Sequence, residues 1–259
     1  MTATALRARL LAGESLVGVL APHRDPVLAE QLGLLGIDYY MMDAEHGALA
    51  ASDAETLVRG CESVGVAPLA RVRSLDPKLI LQFLDAGVQG IMLPGVTSRE
   101  EVAALVDAVK YPPHGHRGLG PARAAGYLLG GRSQADYLAT ANARTLVLPQ
   151  IEDIRAVERV EALVQVPGID GVVIGPVDLA LSMGFLDGPA HPEVSAAMER
   201  VVGAAHAAGV AVGTVARTGA QARALLTQGY RIVLAPIGAL LANAVTPYLA
   251  EARAAEPAS

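Results

Sequence analysis

Short aliphatic runs alternate along this chain with longer stretches whose apolar residues recur at helical spacing. The runs are Leu16 to Leu20, Tyr39 to Met42, Pro68 to Val72, Gly90 to Leu93, Thr145 to Pro149, Gly171 to Ile174, Val210 to Val215 and Arg231 to Leu234. They are almost wholly apolar, as strands are when helices cover one side and a packed interior the other. Between them lie helical patterns over Asp53 to Ser63, Asp76 to Asp85, Ser98 to Lys110, Asp153 to Val164, Pro192 to Ala208 and Gly219 to Gln228. Gly36, Gly65, Gly87, Gly209 and Gly229 stand just before strands, where each repeat needs a residue to end its helix. Eight β-then-α units predict an α/β fold of the (β/α)8 TIM-barrel type, as one domain over residues 1–259. An open doubly wound sheet would carry a glycine-rich turn after its first strand, and here that turn reads Ala-Pro-His-Arg. Longer inserts interrupt the rhythm at Tyr111 to Arg144 and Gly175 to His191, and loops of that length often carry function.

Composition narrows the function classes. Hydrophobic residues make up 52% of the chain, and 27 Gly and 16 Pro are spread along it, which suits a large core and excludes disorder as the main theme. A formal charge of −6, 3% aromatics and no Trp leave nothing like a base-stacking, phosphate-tracking groove, so no nucleic-acid partner is expected. The apolar runs fall far short of the roughly 20 residues of a membrane span, and no membrane association is expected. The N-terminal MTATALRARLLAGESL reads as helix and lacks the apolar core of a signal peptide. Cys61, alone and within an amphipathic segment, reads as a buried inert thiol, which fits a reducing, cytoplasmic setting.

In a barrel of this type chemistry gathers at the C-terminal ends of the strands. Those ends carry Pro22, His23 and Arg24; Asp43, Glu45 and His46; Arg71 and Arg73; Gln150 and Glu152; Pro176 and Asp178. Glu152 and Asp178 follow neighbouring strands, where two bare carboxylates would repel. Either one keeps a proton or a hard divalent cation, Mg²⁺ or Mn²⁺, sits between them; the alternative is that they cap the helices that follow. Arg71 ends an apolar strand and needs an anion, either a substrate carboxylate or enolate or an internal partner in Glu45 or Asp43. His46, beside two acids, suits a general base or a hydrogen-bonded structural role. His114 and His116 lack a third ligand nearby, and GHRGLG reads either as a flexible loop bringing Arg117 and Arg123 over the mouth or as a surface turn. Lys78 and Lys110, the only lysines, fall in helical patterns expected near the surface, so a Schiff-base mechanism is hard to build.

Taken in order, GIDYYMMDAEHG, the Ala70 to Val72 strand end, LDAGVQGIMLPGVTSREE, KYPPHGHRGLGPARA, LPQIED and GPVDLALSMG resemble the metal-dependent (class II) pyruvate aldolases of the HpcH/HpaI family, in the phosphoenolpyruvate/pyruvate superfamily. The resemblance runs from about Leu16 to about Pro236. It implies that Glu152 and Asp178 bind a divalent metal cation (Mg²⁺, Mn²⁺ or Co²⁺), that His46 is the acid/base residue and that Arg71 stabilises an enolate. It also implies that Gln150 and Val177 contact substrate. An acid matching Asp85 would pair with the base, although the barrel reading puts Asp85 at the wrong end of the same chain, leaving Asp43 as the local substitute. The implied reaction is reversible cleavage of 4-hydroxy-2-oxo acids, of the 4-hydroxy-2-oxoheptanedioate or 2-keto-3-deoxy sugar acid type, into pyruvate and an aldehyde. His23 and Arg24 depart from the small polar residues expected at the acceptor position. They point to an anionic or polar acceptor, or to an enzyme using oxaloacetate as a decarboxylase or biosynthetic condensing enzyme. The resemblance further implies a homo-oligomer, a hexamer built as a trimer of dimers, with the C-terminal helix around Ile237 to Leu249 exchanged between subunits.

Overall fold

In a computed structural model, which describes residues 6–131 and 133–254, eight parallel strands close into a barrel in chain order. They are β1 (Leu16–Ala21), β2 (Tyr39–Asp43), β3 (Ala67–Arg71), β4 (Gly90–Leu93), β5 (Leu146–Ile151), β6 (Gly171–Ile174), β7 (Ala211–Val215) and β8 (Ile232–Pro236). The ring closes where Leu16 of β1 pairs with Ile232 of β8. Helix α1 (Leu6–Leu11) precedes the barrel, and α2 (Pro26–Leu34), α3 (Ala51–Ser63), α4 (Pro77–Ala86) and α5 (Arg99–Val109) follow the first four strands. Then come α6 (Gln134–Arg144) before β5, α7 (Ile154–Glu158) and α8 (Val160–Val164) after it, α9 (Pro176–Ser182) and α10 (Pro192–Ala207) after β6, α11 (Gly219–Thr227) after β7 and α12 (Ile237–Arg253) after β8.

Successive side chains on a strand point to opposite faces, and the core divides accordingly. Tyr40 and Met42 join the outer layer between strands and helices, whereas Tyr39 and Met41 join an inner cluster with Leu16, Leu69, Met92, Leu146, Leu148, Val173, Ile232 and Leu234. Tyr39 spans the interior and donates its hydroxyl to the Val233 carbonyl at 2.8 Å. Gly18 makes room for that ring, since a Cβ there would lie 2.4 Å from it. Leu6 and Leu10 of α1 pack on the same cluster and close the N-terminal end of the barrel.

The five glycines expected to end helices all take positive φ, from +69° at Gly209 to +112° at Gly87, a region that side chains with a Cβ rarely enter. Other expectations are corrected. The stretch Asp153 to Val164 breaks into two short helices at Arg159. The Tyr111 to Arg144 insert contains α6 and joins a helix to the next strand, so it lies at the N-terminal end and not over the mouth. Lys110 is buried rather than near the surface; its ammonium donates to the carbonyls of Asn142 and Thr145 at the end of α6, and burial pushes its pKa down to about 8. Beside it Arg7 pairs with buried Asp170 at 2.6 Å, and Asp170 also accepts from the Val147 amide. Cys61 is buried as expected, its thiol raised to about 12 by desolvation. Helix α12 buries Ile237 and Ala239 and leaves Leu241, Val245 and Tyr248 exposed. Among the described residues no helix is long and apolar enough to cross a membrane.

Candidate active site

The alternation that fills the barrel interior changes chemistry at its upper layer. Tyr39 and Met41 are followed on the inward face by Asp43, Ala67 and Leu69 by Arg71, and Leu146 and Leu148 by Gln150 and Glu152. All four polar residues are buried. Charge is taken out of water here only because it is matched: Arg71 makes a two-point pair with Asp43, Nε to Oδ1 at 3.0 Å and a terminal nitrogen to Oδ2 at 2.7 Å. Its other terminal nitrogen lies 3.1 Å from Glu45 Oε2, within ion-pair range but not aligned for a hydrogen bond. Asp43 Oδ1 also accepts from the amides of Glu45 and His46, shaping the turn after β2.

That arrangement corrects one expectation. Asp43 is committed to Arg71 and to the turn, not to the His46 imidazole; the acid nearest the ring is Glu45, 3.8 Å from Nε2. His46 is largely exposed at the rim, free to meet a ligand.

Glu152 is held on one side by the Gly95 amide at 2.8 Å and on the other by the Gln150 carboxamide. Burial, reinforced by the carboxylates of Glu45 and Asp178, nevertheless lifts its pKa to about 7. Burial likewise raises Glu45, against the opposing pull of Arg71 and His46. Capping does not explain these acids. Asp153 caps α7 instead, accepting from the Arg155 amide, while Asp178 lies inside the first turn of α9, whose cap position is Gly175. Gln150 leaves its Oε1 buried without a hydrogen-bond partner.

Among the described residues no group of three or more His, Cys, Asp or Glu forms a ready metal cage. The donors on offer are all oxygen: the Glu152 and Asp178 carboxylates and the orphaned Gln150 carbonyl. Such a set, with mutually repelling acids, fits a hard divalent cation that keeps several waters or takes ligand oxygens.

Asp178 and Gln150 open into a cavity of about 510 Å³ at the strand tips, which they share with His46, Arg71, Val177, Arg217 and Gln221. Arg217 and Glu45 carry more of the site than the sequence reading assigned to them. The signal for Arg217 was present: Ala211, Gly213 and Val215 alternate inward, and Arg217 is the next position in that series. The expected acceptor-facing residues lie elsewhere. Arg24 turns to the Ala48 carbonyl and to Asp53 at the start of α3, and neither it nor His23 lines the cavity.

Asp85, Arg117 and Arg123 belong to the opposite end of the barrel. Asp85 closes α4 and pairs with Arg117 at 3.0 Å. Arg117 is buried beneath the loop, stacked 4.5 Å above the Tyr111 ring, and Arg123 pairs with Glu62. His116 pairs with Asp107 at 2.5 Å rather than with a metal-ligand set.

A model of the HpcH/HpaI aldolase/citrate lyase family matches residues 16–242. A hydroxypyruvate/pyruvate aldolase of Cupriavidus necator is 37% identical over 254 residues, covering 96% of this chain and 91% of the relative. A 5-keto-4-deoxy-D-glucarate aldolase of Shigella dysenteriae is 33% identical, with 88% of each chain covered. The crystal structure of an HpcH/HpaI aldolase/citrate lyase family protein from Burkholderia cenocepacia superposes with a TM-score of 0.89 at 35% identity, covering 96% of this chain and 98% of that one.

Proposed function

The chain belongs to the HpcH/HpaI aldolase/citrate lyase family, and from that premise we propose that it is a divalent-cation-dependent aldolase cleaving 4-hydroxy-2-oxo acids reversibly to pyruvate and an aldehyde. One observation supports this above the others: Asp178 and the unpartnered Gln150 carbonyl stand beside Arg71 in a single cavity, with Glu152 held against Gln150 next to it. Glu152 and Asp178 would hold Mg²⁺, Mn²⁺ or Co²⁺, which when bound supplies Lewis-acid polarisation of a 2-oxo acid.

The remaining work falls to the chain itself. Gln150 and Val177 border the space for the 2-oxo acid, and Arg71, oriented by Asp43 and Glu45, sets a guanidinium against the oxygen that gains charge as the enolate forms. In the cleavage direction His46 takes the proton of the C4 hydroxyl, the C3–C4 electron pair passes into the enolate, and the aldehyde departs. Proton return to C3 then gives pyruvate.

The family's acid partner for the base corresponds to Asp85, which lies at the opposite end of this barrel. Only a second copy could bring it to His46, and the exposed apolar residues of α12 support a homo-oligomer, a hexamer of exchanged dimers in this reading. The buried free thiol of Cys61 suits a cytoplasmic setting.

The test is deuterium incorporation at C3 of pyruvate with each cation, alongside pyruvate release from 4-hydroxy-2-oxo acids. Exchange that survives exhaustive chelation, or that never occurs, would overturn the proposal.

A further inference from the structure

We propose that Arg217 is the residue that selects the aldehyde partner, and that it selects for a carboxylate at the end of that partner remote from the reacting carbon. This deepens the aldolase reading and rests on it. Two sets of polar groups line the cavity at the strand tips. Asp178, Arg71 and Gln150 line it where the 2-oxo acid would sit, and Arg217 and Gln221, which follow β7, line it as well. Much of the remaining lining is apolar, with Val177, Val215, Leu225 and Pro236. A molecule that fits such a space carries more than one polar group and a short hydrocarbon segment.

Four observations single out Arg217. It continues the inward-facing series of β7, two positions beyond Val215, so its Cα lies on the side of the strand that looks into the barrel mouth. Its backbone is pinned on both sides: the amide donates to Gln221 Oε1 at 2.8 Å and the carbonyl accepts from Asn243 Nδ2 at 2.6 Å. The side chain therefore starts from a fixed point. The bond to Gln221 occupies that residue's oxygen and leaves its amide hydrogens as the group it can offer a ligand, so both residues face the cavity as donors. Finally, Arg71 is neutralised by Asp43 and Glu45, whereas Arg217 has no acid within ion-pair distance among the described residues.

The charge on the ligand follows. With Arg71 matched by Asp43 and Glu45, Arg217 is the cation lining this cavity that is left to meet a distal anion. One guanidinium fork matches the two oxygens and single charge of a carboxylate better than a dianionic phosphate. Arg24 cannot serve, because its guanidinium is engaged by Ala48 and Asp53.

The experiment compares two acceptors of equal length, 4-oxobutanoate and butanal, in aldol addition with pyruvate and Mn²⁺. The wild-type enzyme should favour 4-oxobutanoate in kcat/KM, and the preference should shrink as ionic strength rises. Arg217→Gln should reduce the 4-oxobutanoate-to-butanal ratio at least tenfold, mainly through KM, and Arg217→Lys should keep most of it. A wild-type ratio near one, or a ratio that Arg217→Gln leaves unchanged, would overturn the inference. Deuterium exchange into pyruvate, measured in the same samples, separates the two levels: exchange without acceptor preference defeats only the role of Arg217, whereas absence of exchange defeats the aldolase reading.

Discussion

Replacing Asp43 by Asn isolates what the buried pair beneath the cavity contributes. The substitution preserves shape and removes one negative charge from a two-point contact with Arg71 whose side chains are 8% and 7% exposed. At roughly 3–4 Å and an effective dielectric of about 20, the lost attraction is about 4–5 kcal/mol. The Asn carbonyl still accepts one hydrogen bond from the guanidinium, returning about 1.5–3 kcal/mol. Glu45 remains in ion-pair range at 3.1 Å, so Arg71 is not left bare. The expected net loss is therefore about 2–3 kcal/mol, below the 3–5 kcal/mol typical of a wholly broken buried pair. For a chain of this size that corresponds to a fall in Tm of about 4–12 °C. Urea unfolding of Asp43→Asn, Arg71→Met and the double variant measures it directly, and the double-mutant cycle should show a coupling of about 2 kcal/mol. Single-variant losses that add to within about 0.5 kcal/mol would refute the reasoning, because residues that do not interact behave that way. Activity supplies a second readout. If Asp43 orients Arg71, Asp43→Asn should lower kcat by about tenfold or more while leaving cation affinity close to that of the parent.

The other expectations can be checked separately. Because Glu152 titrates at about 7, raised first by burial and then by Glu45 and Asp178, its charged form is scarce below that pH. Mn²⁺ affinity, followed by electron paramagnetic resonance, should rise about tenfold per pH unit up to about pH 7 and then flatten; a flat profile from pH 5 would contradict this. Lys110 has its folded pKa lowered from 10.5 to about 8, so the unfolded chain binds the extra proton between those values. That deficit is fully present below pH 8 and is relieved as pH rises, so Lys110 should add up to about 3 kcal/mol of stability between pH 8 and 10.5. Urea unfolding across that window should show the rise in the parent and its absence in Lys110→Met. Gly18→Ala places a Cβ 2.4 Å from the Tyr39 ring and should destabilise by about 1–3 kcal/mol; an unchanged unfolding midpoint would mean that Tyr39 has another place to go.

How much of this was legible beforehand depends on whether a feature is local or assembled. Strand positions, the glycine helix ends and the buried Cys61 came from spacing and residue type, which act over a few residues. The polar strand tips were legible for the same reason. Arg24 was misplaced because adjacency to a strand end does not say which way a loop turns, and the Asp53 carboxylate draws it outward. Arg217 was overlooked although the two-residue period of β7 extends to it. Of the two readings of the Arg117 loop, the one over the mouth fails on topology, since a segment joining a helix to the next strand must return to the N-terminal end. Lys110 was beyond local reading altogether: the carbonyls that bury it come from residues 32 and 35 positions away.

The filled interior described above makes the barrel a blind well. Among the described residues, Tyr39 across its middle and α1 packed on the floor fill the way in from beneath, so Arg71 is approached from the strand tips. In the aldolase reading, a molecule seated against Arg71 would have to enter before, and leave after, any partner seated above it. The order of binding would then be set by the architecture, in residues remote from any bond that is made or broken.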